Sequence, residues 1–82
     1  MVNVDYDDVF QKRTDKIKDP VLRLKIKKQI VKIIGSPEIG KPMQYERKGT
    51  REVYVPPFRL SYAYSKEEDL IIFLDLYHKD EQ

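Results

Sequence analysis

The sequence predicts one small α+β domain, with an N-terminal helical hairpin packed on one face of a small antiparallel sheet. Apolar residues recur at helical spacing in the first half of the chain and alternate with polar residues in the second half. The chain has 82 residues, a length that buries roughly 60% of its unfolded surface and leaves room for one core. We therefore expect residues 1–82 to form a single domain.

The first half predicts two helices after a short extended segment at residues 1–4. An aspartate among residues 5–8 caps the first helix, which ends before Asp19. Asp19-Pro20 then begins the second helix, because Asp is a good N-cap and the missing N–H of Pro costs nothing at the first helical position. Gly35 ends this helix. Almost nothing separates the two helices, which favours an antiparallel hairpin.

The second half predicts a connector over residues 38–48 and three strands after it. Gly and Pro interrupt the connector. Residues 53–55 and 58–64 alternate in polarity, and residues 70–77 form a nearly continuous apolar run, patterns that are typical of strands. Short turns join them into a meander, and we expect a wide loop or bulge at Pro56-Pro57 because that pair does not fit the usual hairpin turns.

Pairing the last two strands around residues 66–68 sets Ser65 opposite Asp69. One face then carries eight side chains for the helices to cover. These are Phe58, Leu60, Tyr62, Tyr64, Leu70, Ile72, Leu74 and Leu76. The other face, with Ile71 and Phe73 beside Arg59, is expected to be exposed and has the mixed composition of a recognition surface. The same register sets Arg59 opposite Asp75, so the strand pattern alone favours a cross-strand ion pair.

The composition excludes several kinds of protein. With no Cys and one His, the chain has no disulfide and no Cys nucleophile, and we expect no metal site and no cofactor. No apolar run approaches the ~18 residues of a membrane span, and the first residues lack a signal-peptide pattern. We expect a cytoplasmic protein that does not bind membranes.

The net charge of +2 is unevenly distributed. Residues 12–32 hold nine basic and two acidic side chains, whereas residues 66–82 hold two basic and six acidic ones. This asymmetry fits a surface that faces a polyanion, and it also fits a helical pair with a solvated basic face.

Candidate chemistry lies at the end of the last strand, in His78-Lys79. Histidine transfers protons near neutral pH, and strand parity aims Lys79 at the face that carries Arg59. A guanidinium and an ammonium together neutralise a phosphodiester and the added charge of its transition state. A terminal His is also a common surface residue. The residues alone therefore indicate a binding surface with a hint of phosphodiester hydrolysis.

Several segments follow one another in an order that a known family shares. Two short helices precede the Pro-containing segment 36–42, a strand, the segment Phe58-Arg59-Leu60-Ser61-Tyr62, an apolar strand and finally His78-Lys79-Asp80. This order resembles the RelE/ParE toxin superfamily, and the match spans nearly the whole chain. The resemblance implies a RelE-like fold.

The resemblance also implies an activity. RelE-like members are toxins of type II toxin–antitoxin pairs that cleave translated mRNA on the ribosome, without metal, through attack of a 2′-hydroxyl on the adjacent phosphate. It therefore implies an mRNA interferase whose partners are the ribosome, mRNA and a cognate RelB-like antitoxin. Arg59 would contact the scissile phosphate. Lys79 would stabilise the transition state, and His78 would be the general acid or base.

Binding residues follow from the same resemblance. RNA contacts are expected at Lys48, Arg51, Tyr54, Lys25, Lys28 and Lys32. Antitoxin contacts are expected at Ile71, Phe73 and Tyr77.

Two alternatives remain open. Glu52 and Tyr54 stand where many RelE-type members carry basic residues, and no aromatic residue follows Lys79. This departure favours a ParE-like gyrase poison on the same scaffold, whereas His78-Lys79 favours the nuclease. The second alternative is a catalytically inactive binding module in which Arg59 merely pairs with Asp75.

Overall fold

Two helices and five strands make up the part of the chain that the structure, a computed structural model, describes: residues 2–44 and 49–81. The elements are β1 (Asn3–Tyr6), α1 (Asp8–Asp15), α2 (Pro20–Gly35), β2 (Lys41–Pro42), β3 (Thr50–Val55), β4 (Phe58–Ser65) and β5 (Leu70–His78). One turn of 3₁₀ helix follows at Lys79–Glu81. The predicted α+β class is confirmed.

Both helices begin at the aspartates that the sequence indicates. The carboxylate of Asp7 accepts the backbone N–H of Val9 at 2.9 Å, and that of Asp19 accepts the N–H of Val21 at 2.9 Å. Pro20 occupies the first turn of α2. Each bond satisfies one of the N–H groups that a helix leaves without an internal partner, which fixes the starting residue.

The sheet is mixed rather than purely antiparallel, which corrects the prediction. Its strand order is β1-β5-β4-β3-β2. β1 runs parallel to β5, with Asn3 opposite Leu70, and the two residues of β2 pair with β3. A strand therefore precedes the helices. The finer prediction, an antiparallel helical hairpin lying on one face, stays a prediction.

One hydrophobic core joins both helices to the three long strands. The helices contribute Phe10, Ile26 and Ile33, and the short segment between them contributes Ile17. The strands contribute Val55, Leu60, Tyr62, Ile71, Phe73 and Leu76. Because all of these side chains belong to a single cluster, the same contacts that bury the helices also fix which way each strand faces.

The pairing of β4 with β5 differs from the predicted register. Ser65 lies opposite Leu70 instead of Asp69, because the turn takes four residues, 66–69, and Asp69 adopts a φ of 53°. A shift of one residue turns every side chain of a strand to the other face. Ile71 and Phe73 consequently lie in the core with 0% exposure. The prediction that they form an exposed antitoxin surface is wrong.

A β-bulge in β5 then returns the side chains that follow it to the faces that the sequence predicts. Tyr62 pairs with Phe73 and Ser61 with Asp75, so Leu74 is an extra residue in β5. Beyond it Leu76 faces the core. Arg59 lies opposite Tyr77, not opposite Asp75, whose carboxylate instead pairs with Arg13 of α1 at 3.0 Å. The predicted Arg59–Asp75 ion pair is therefore wrong.

The turn between β3 and β4 is tighter than predicted. Val55 pairs directly with Phe58, so Pro56-Pro57 alone makes the connection, and the peptide bond between the two prolines is cis. A cis proline at the second central position defines the type VI turn. The expectation of a wide loop or bulge at this pair is therefore wrong.

Hydrogen bonds from Tyr62 hold the segment that follows α2 against the sheet. Its hydroxyl donates to the carbonyl of Pro37 at 2.7 Å and accepts the N–H of Gly40 at 2.9 Å. Arg51 donates from Nη1 to the carbonyls of Glu38 at 2.9 Å and Gly40 at 2.8 Å. Burial raises the pKa of the Tyr62 hydroxyl.

Candidate functional site

The side of the sheet that faces away from the core carries the candidate site. Alternation along each strand places these side chains, because Val55, Leu60 and Leu76 point into the core and their neighbours point the other way. We call this side the open face. Its site residues are Glu52, Tyr54, Arg59, Tyr77 and, from the 3₁₀ turn, Lys79.

Arg59 occupies the centre of the open face. It pairs with Tyr54 on one side and Tyr77 on the other, and its guanidinium carbon lies 5.6 Å from the centre of the Tyr54 ring. The side chain is 35% exposed, and Nη1 lies 3.9 Å from a carboxylate oxygen of Glu52. Nε is buried without a hydrogen-bond partner among the described residues. The guanidinium is thus held in place by its neighbours while the side chain remains partly exposed.

Lys79 reaches the same aromatic ring from the 3₁₀ turn. Its backbone N–H donates to the carbonyl of Pro57 at 3.2 Å, which holds the turn beside the β3–β4 connection. Its ammonium nitrogen lies 5.8 Å from the centre of the Tyr54 ring, which is itself exposed. Two cations therefore meet at one ring, a geometry in which the ring face attracts both. The predicted convergence of Lys79 with Arg59 occurs through Tyr54.

Glu52 is the site residue that the sequence reasoning missed. It is 5% exposed and accepts a hydrogen bond from the hydroxyl of Tyr77. The strand pattern predicts Glu52 on the face that carries Arg59, and the resemblance marks it as a departure from the basic residues of the family, but neither gave it a role at the site. An informative signal was present, since an acid that alternates with Val53 and Val55 shares a face with the arginine of the next strand.

His78 lies on the other side of the sheet from Arg59. Its ring packs edge-on against Phe58, with 5.7 Å between ring centres, and Phe58 packs against the core. Nδ1 accepts the backbone N–H of Asp80 at 3.3 Å and lies 3.6 Å from that residue's carboxylate. The structure therefore brings together Arg59 and Lys79, and does not bring His78 to them.

The remaining predicted contacts lie on separate surfaces. Lys25, Lys28 and Lys32 are exposed along one side of α2, and we call them the lysine stripe. Arg51 lies on the core side of β3 and binds the carbonyls of the segment after α2. Tyr77 is 8% exposed. Lys48 lies outside the described residues.

The described residues contain no cluster of metal-ligating side chains and no membrane-spanning helix. Within residues 2–44 and 49–81, no three His, Asp or Glu side chains come together as metal ligands. No helix in those ranges has the length and apolar character that crossing a bilayer requires. What the open face offers is cationic groups beside an aromatic ring, an arrangement suited to binding a phosphate next to a stacked base.

Solved toxin structures share this fold. A chain of the intact E. coli RelBE toxin–antitoxin complex superposes with a TM-score of 0.79 at 19% identity, covering 95% of this chain and 96% of that one. The YoeB/ParE toxin from Agrobacterium tumefaciens gives 0.83 at 13% identity, with 94% and 98% coverage.

The chain has the RelE-like toxin fold. YafQ from E. coli strain BL21(DE3) shares it as well, with a TM-score of 0.74, 22% identity and coverage of 99% and 97%. No protein-family model matches the sequence, and a search of curated proteins gave no match. The RelE-like fold thus rests on three-dimensional similarity over nearly the full length of both chains.

Proposed function

We propose that the protein is the toxin of a type II toxin–antitoxin pair and cleaves translated mRNA on the ribosome. One observation carries the proposal: Arg59 and Lys79 converge on the exposed ring of Tyr54, on the open face of a RelE-like fold. A phosphodiester has the charge that these two cations match, and an RNA base has the flat surface that the ring stacks on.

The proposed cleavage uses three residues of the site, Arg59, Lys79 and Tyr54. The 2′-hydroxyl gives its proton to water and attacks the adjacent phosphorus. The bond to the 5′-oxygen of the next nucleotide breaks, that oxygen takes a proton from water, and a 2′,3′-cyclic phosphate remains. Arg59 binds the phosphate oxygens, and Lys79 stabilises the charge that develops on them in the transition state. Tyr54 stacks on a neighbouring base and holds the nucleotide in line.

The proton transfers are separate from the roles of Arg59 and Lys79. His78 is our sequence-based candidate for the general acid or base, but its ring packs against Phe58 on the side of the sheet away from Arg59. We therefore assign the main catalytic effect to electrostatic stabilisation by Arg59 and Lys79. The role of His78 stays a prediction that a single substitution tests.

The proposed partners fit other surfaces of the molecule. One of the similar structures is a complex of toxin and antitoxin, and we propose that a cognate antitoxin likewise neutralises this protein. The lysine stripe of α2 carries three exposed cations suited to ribosomal RNA backbone. The proposal places the protein in the cytoplasm, where translation occurs.

The test is to induce the protein in a host cell and map new 5′ ends on translated transcripts. We expect growth arrest with cuts at codon-spaced positions, and loss of both in Arg59→Ala. Lys66→Ala is the matched control, because it removes one exposed positive charge from the turn at the far end of β4. Growth arrest without mRNA cuts would contradict the nuclease.

A ParE-like gyrase poison is the second candidate. Glu52 and Tyr54 favour it, because they leave β3 without basic residues on the open face. In that case the same induction experiment would show DNA cleavage complexes instead of mRNA fragments. An inactive binding module would show neither, and Arg59→Ala would have no effect on growth.

A further inference from the structure

A buried carboxylate and a phenol lie behind the arginine of the open face. The side chain of Glu52 is 4% exposed, and its two carboxylate oxygens have different neighbours. Oε2 accepts the hydroxyl proton of Tyr77, and Oε1 faces Nη1 of Arg59 at 3.9 Å. A chain of groups therefore runs from Tyr77 on β5, through Glu52 on β3, to the guanidinium on the strand between them.

Burying Glu52 has to be compensated. A carboxylate that leaves water without hydrogen bonds or a counter-charge loses several kcal/mol of solvation. Among the contacts of Glu52, Tyr77 supplies a hydrogen bond and Arg59 supplies a counter-charge at 3.9 Å. Because β4 lies between β3 and β5, these contacts cross three strands and depend on the register that the bulge at Leu74 restores.

The distance to Arg59 shows what kind of contact this is. At 3.9 Å the pair exceeds hydrogen-bond length, so Glu52 attracts the guanidinium without using its N–H groups. Nε is buried and has no partner among the described residues. On its other side the guanidinium lies 5.6 Å from the Tyr54 ring centre. Arg59 is thus oriented by two neighbours, and its side chain remains 35% exposed.

We propose that Glu52 and Tyr77 form a brace that positions Arg59 for an oxyanion, with the ligand a phosphate group. Tyr77 fixes the carboxylate, and the carboxylate fixes the guanidinium over Tyr54. Both are positioning residues that act through Arg59. The identification of the phosphate as part of an RNA rests on the proposed function, whereas the brace itself does not.

The brace and simple electrostatics predict opposite changes in anion affinity when the charge of Glu52 is removed. If Glu52 only weakened the positive potential of the site, removing its charge would strengthen anion binding. If Glu52 orients Arg59, removing its charge weakens anion binding even though the site becomes more positive. Glu52→Gln distinguishes the two, because the amide oxygen still accepts from Tyr77 while the charge is gone.

Inorganic phosphate is the probe, and the side-chain Nε–H signal of Arg59 in NMR spectra is the readout. Arg59→Lys identifies the signal by its disappearance. We expect phosphate to shift this signal in the wild type, and we expect Glu52→Gln to bind phosphate about tenfold more weakly. Tyr77→Phe, which keeps every charge and the ring, should weaken binding in the same direction by about threefold. The effect is smaller than the full value of a hydrogen bond to a carboxylate, because Tyr77 acts on the phosphate only through Glu52 and Arg59.

Asp80→Asn is the matched control, because it removes an exposed carboxylate next to Lys79 without touching the brace. It should leave phosphate binding unchanged or slightly stronger. Circular dichroism confirms that each variant is folded, and a lower melting temperature with unchanged phosphate affinity would reduce the brace to a structural role and overturn the proposal.

Two further outcomes also overturn it. One is tighter phosphate binding by Glu52→Gln, and the other is the absence of any phosphate-dependent shift of the Arg59 signal in the wild type. The proposed function is tested separately by the mRNA cuts. A protein that shows the expected phosphate pattern but produces no cuts would keep the brace and lose the nuclease.

Discussion

Arg59 and Lys79 are held at the site by different means. Arg59 lies between two strands and has a carboxylate on one side and an aromatic ring on the other. Lys79 is placed by one backbone hydrogen bond to Pro57, and its ammonium group is exposed. The guanidinium is therefore the oriented group of the pair, and the ammonium supplies charge with less geometric constraint.

Conservative exchanges at the two positions should consequently differ in effect. Arg59→Lys loses the planar fork that grips two phosphate oxygens, and we expect mRNA cleavage to fall about 100-fold or more. Lys79→Arg keeps a cation near Tyr54, and we expect activity within about tenfold of the wild type. Primer extension on transcripts in a translating extract measures both. Equal losses in the two variants would contradict the distinction.

The imidazole of His78 offers another test at a single residue. A general acid or base contributes about 10²- to 10⁴-fold to a rate. Because the ring packs against Phe58 on the side away from Arg59, we expect His78→Gln to lower cleavage by less than about tenfold. Circular dichroism serves as the folding control. A loss of 100-fold or more would restore His78 to the proton transfer that the sequence suggested.

At the scale of elements, predictions from the sequence succeeded where the signal is local. Asp19-Pro20 identifies the start of α2, because a cap acts within three residues of itself. The strand that contains Arg59 was also found, since alternation needs only its own residues. Both cations were correctly assigned to one side of the sheet.

The predicted pairing register of β4 with β5 was wrong because it depends on a turn length and a bulge that the sequence pattern does not indicate. The turn over residues 66–69 takes one residue more than the pattern suggested, and β5 takes one more at Leu74. In the apolar run of residues 70–77, only Asp75 is polar, so a bulge leaves no break in the pattern. The two insertions cancel beyond Leu74. For that reason Leu76 was predicted correctly as a core residue whereas Ile71 and Phe73 were not.

The segment between α2 and β2 has no room for a side chain at Gly40. A Cβ there would lie 2.6 Å from the hydroxyl oxygen of Tyr62 and 3.0 Å from Cβ of Arg51. Both side chains are fixed by hydrogen bonds to this segment. We expect Gly40→Ala to lower the free energy of unfolding by about 2–3 kcal/mol, through overpacking and weakened hydrogen bonds. Urea denaturation measures the change.

Gly35→Ala is the control for this substitution. It adds the same methyl group at the end of α2, where nothing lies within 4 Å of the new Cβ. Alanine is the better helix former, so stability should be unchanged or higher by up to about 1 kcal/mol. If both variants unfold at the same urea concentration, the close packing at Gly40 does not contribute to the free energy of unfolding.

At the scale of the whole molecule, positive charge lies on two sides. The open face carries Arg59 and Lys79, and the lysine stripe lies on α2, a helix that belongs to the core side of the sheet. An RNA that touches only the open face cannot reach the stripe. A substrate held inside a ribosome is surrounded by RNA, and both surfaces then have a polyanion to contact.

Changing all three lysines of the stripe to Gln tests this separation. Ribosome binding should weaken, and the slope of log affinity against log salt should fall by about two to three, because each phosphate contact contributes close to one unit. Phosphate binding at Arg59 should not change. Replacing Lys16, Lys18 and Lys66, which are exposed elsewhere, is the control for net charge. An equal effect of both triple variants would contradict a defined contact.

Alkaline pH should destabilise the protein through Tyr62, whose side chain joins the core, the sheet and the segment after α2. Its raised pKa means that the folded state keeps the phenol proton to a higher pH than the unfolded chain does. The contribution of Tyr62 to the free energy of unfolding is therefore constant below about pH 9. It falls as pH rises above 10, by up to about 1.4 kcal/mol per pH unit.

Absorbance at 295 nm should show one of the six tyrosines ionising last, together with the loss of circular dichroism. Tyr62→Phe should be about 1–3 kcal/mol less stable at neutral pH, because Gly40 loses its acceptor, yet its stability should decline less above pH 10. If Tyr62→Phe keeps the full alkaline decline, another group is responsible, and the buried phenol does not control it.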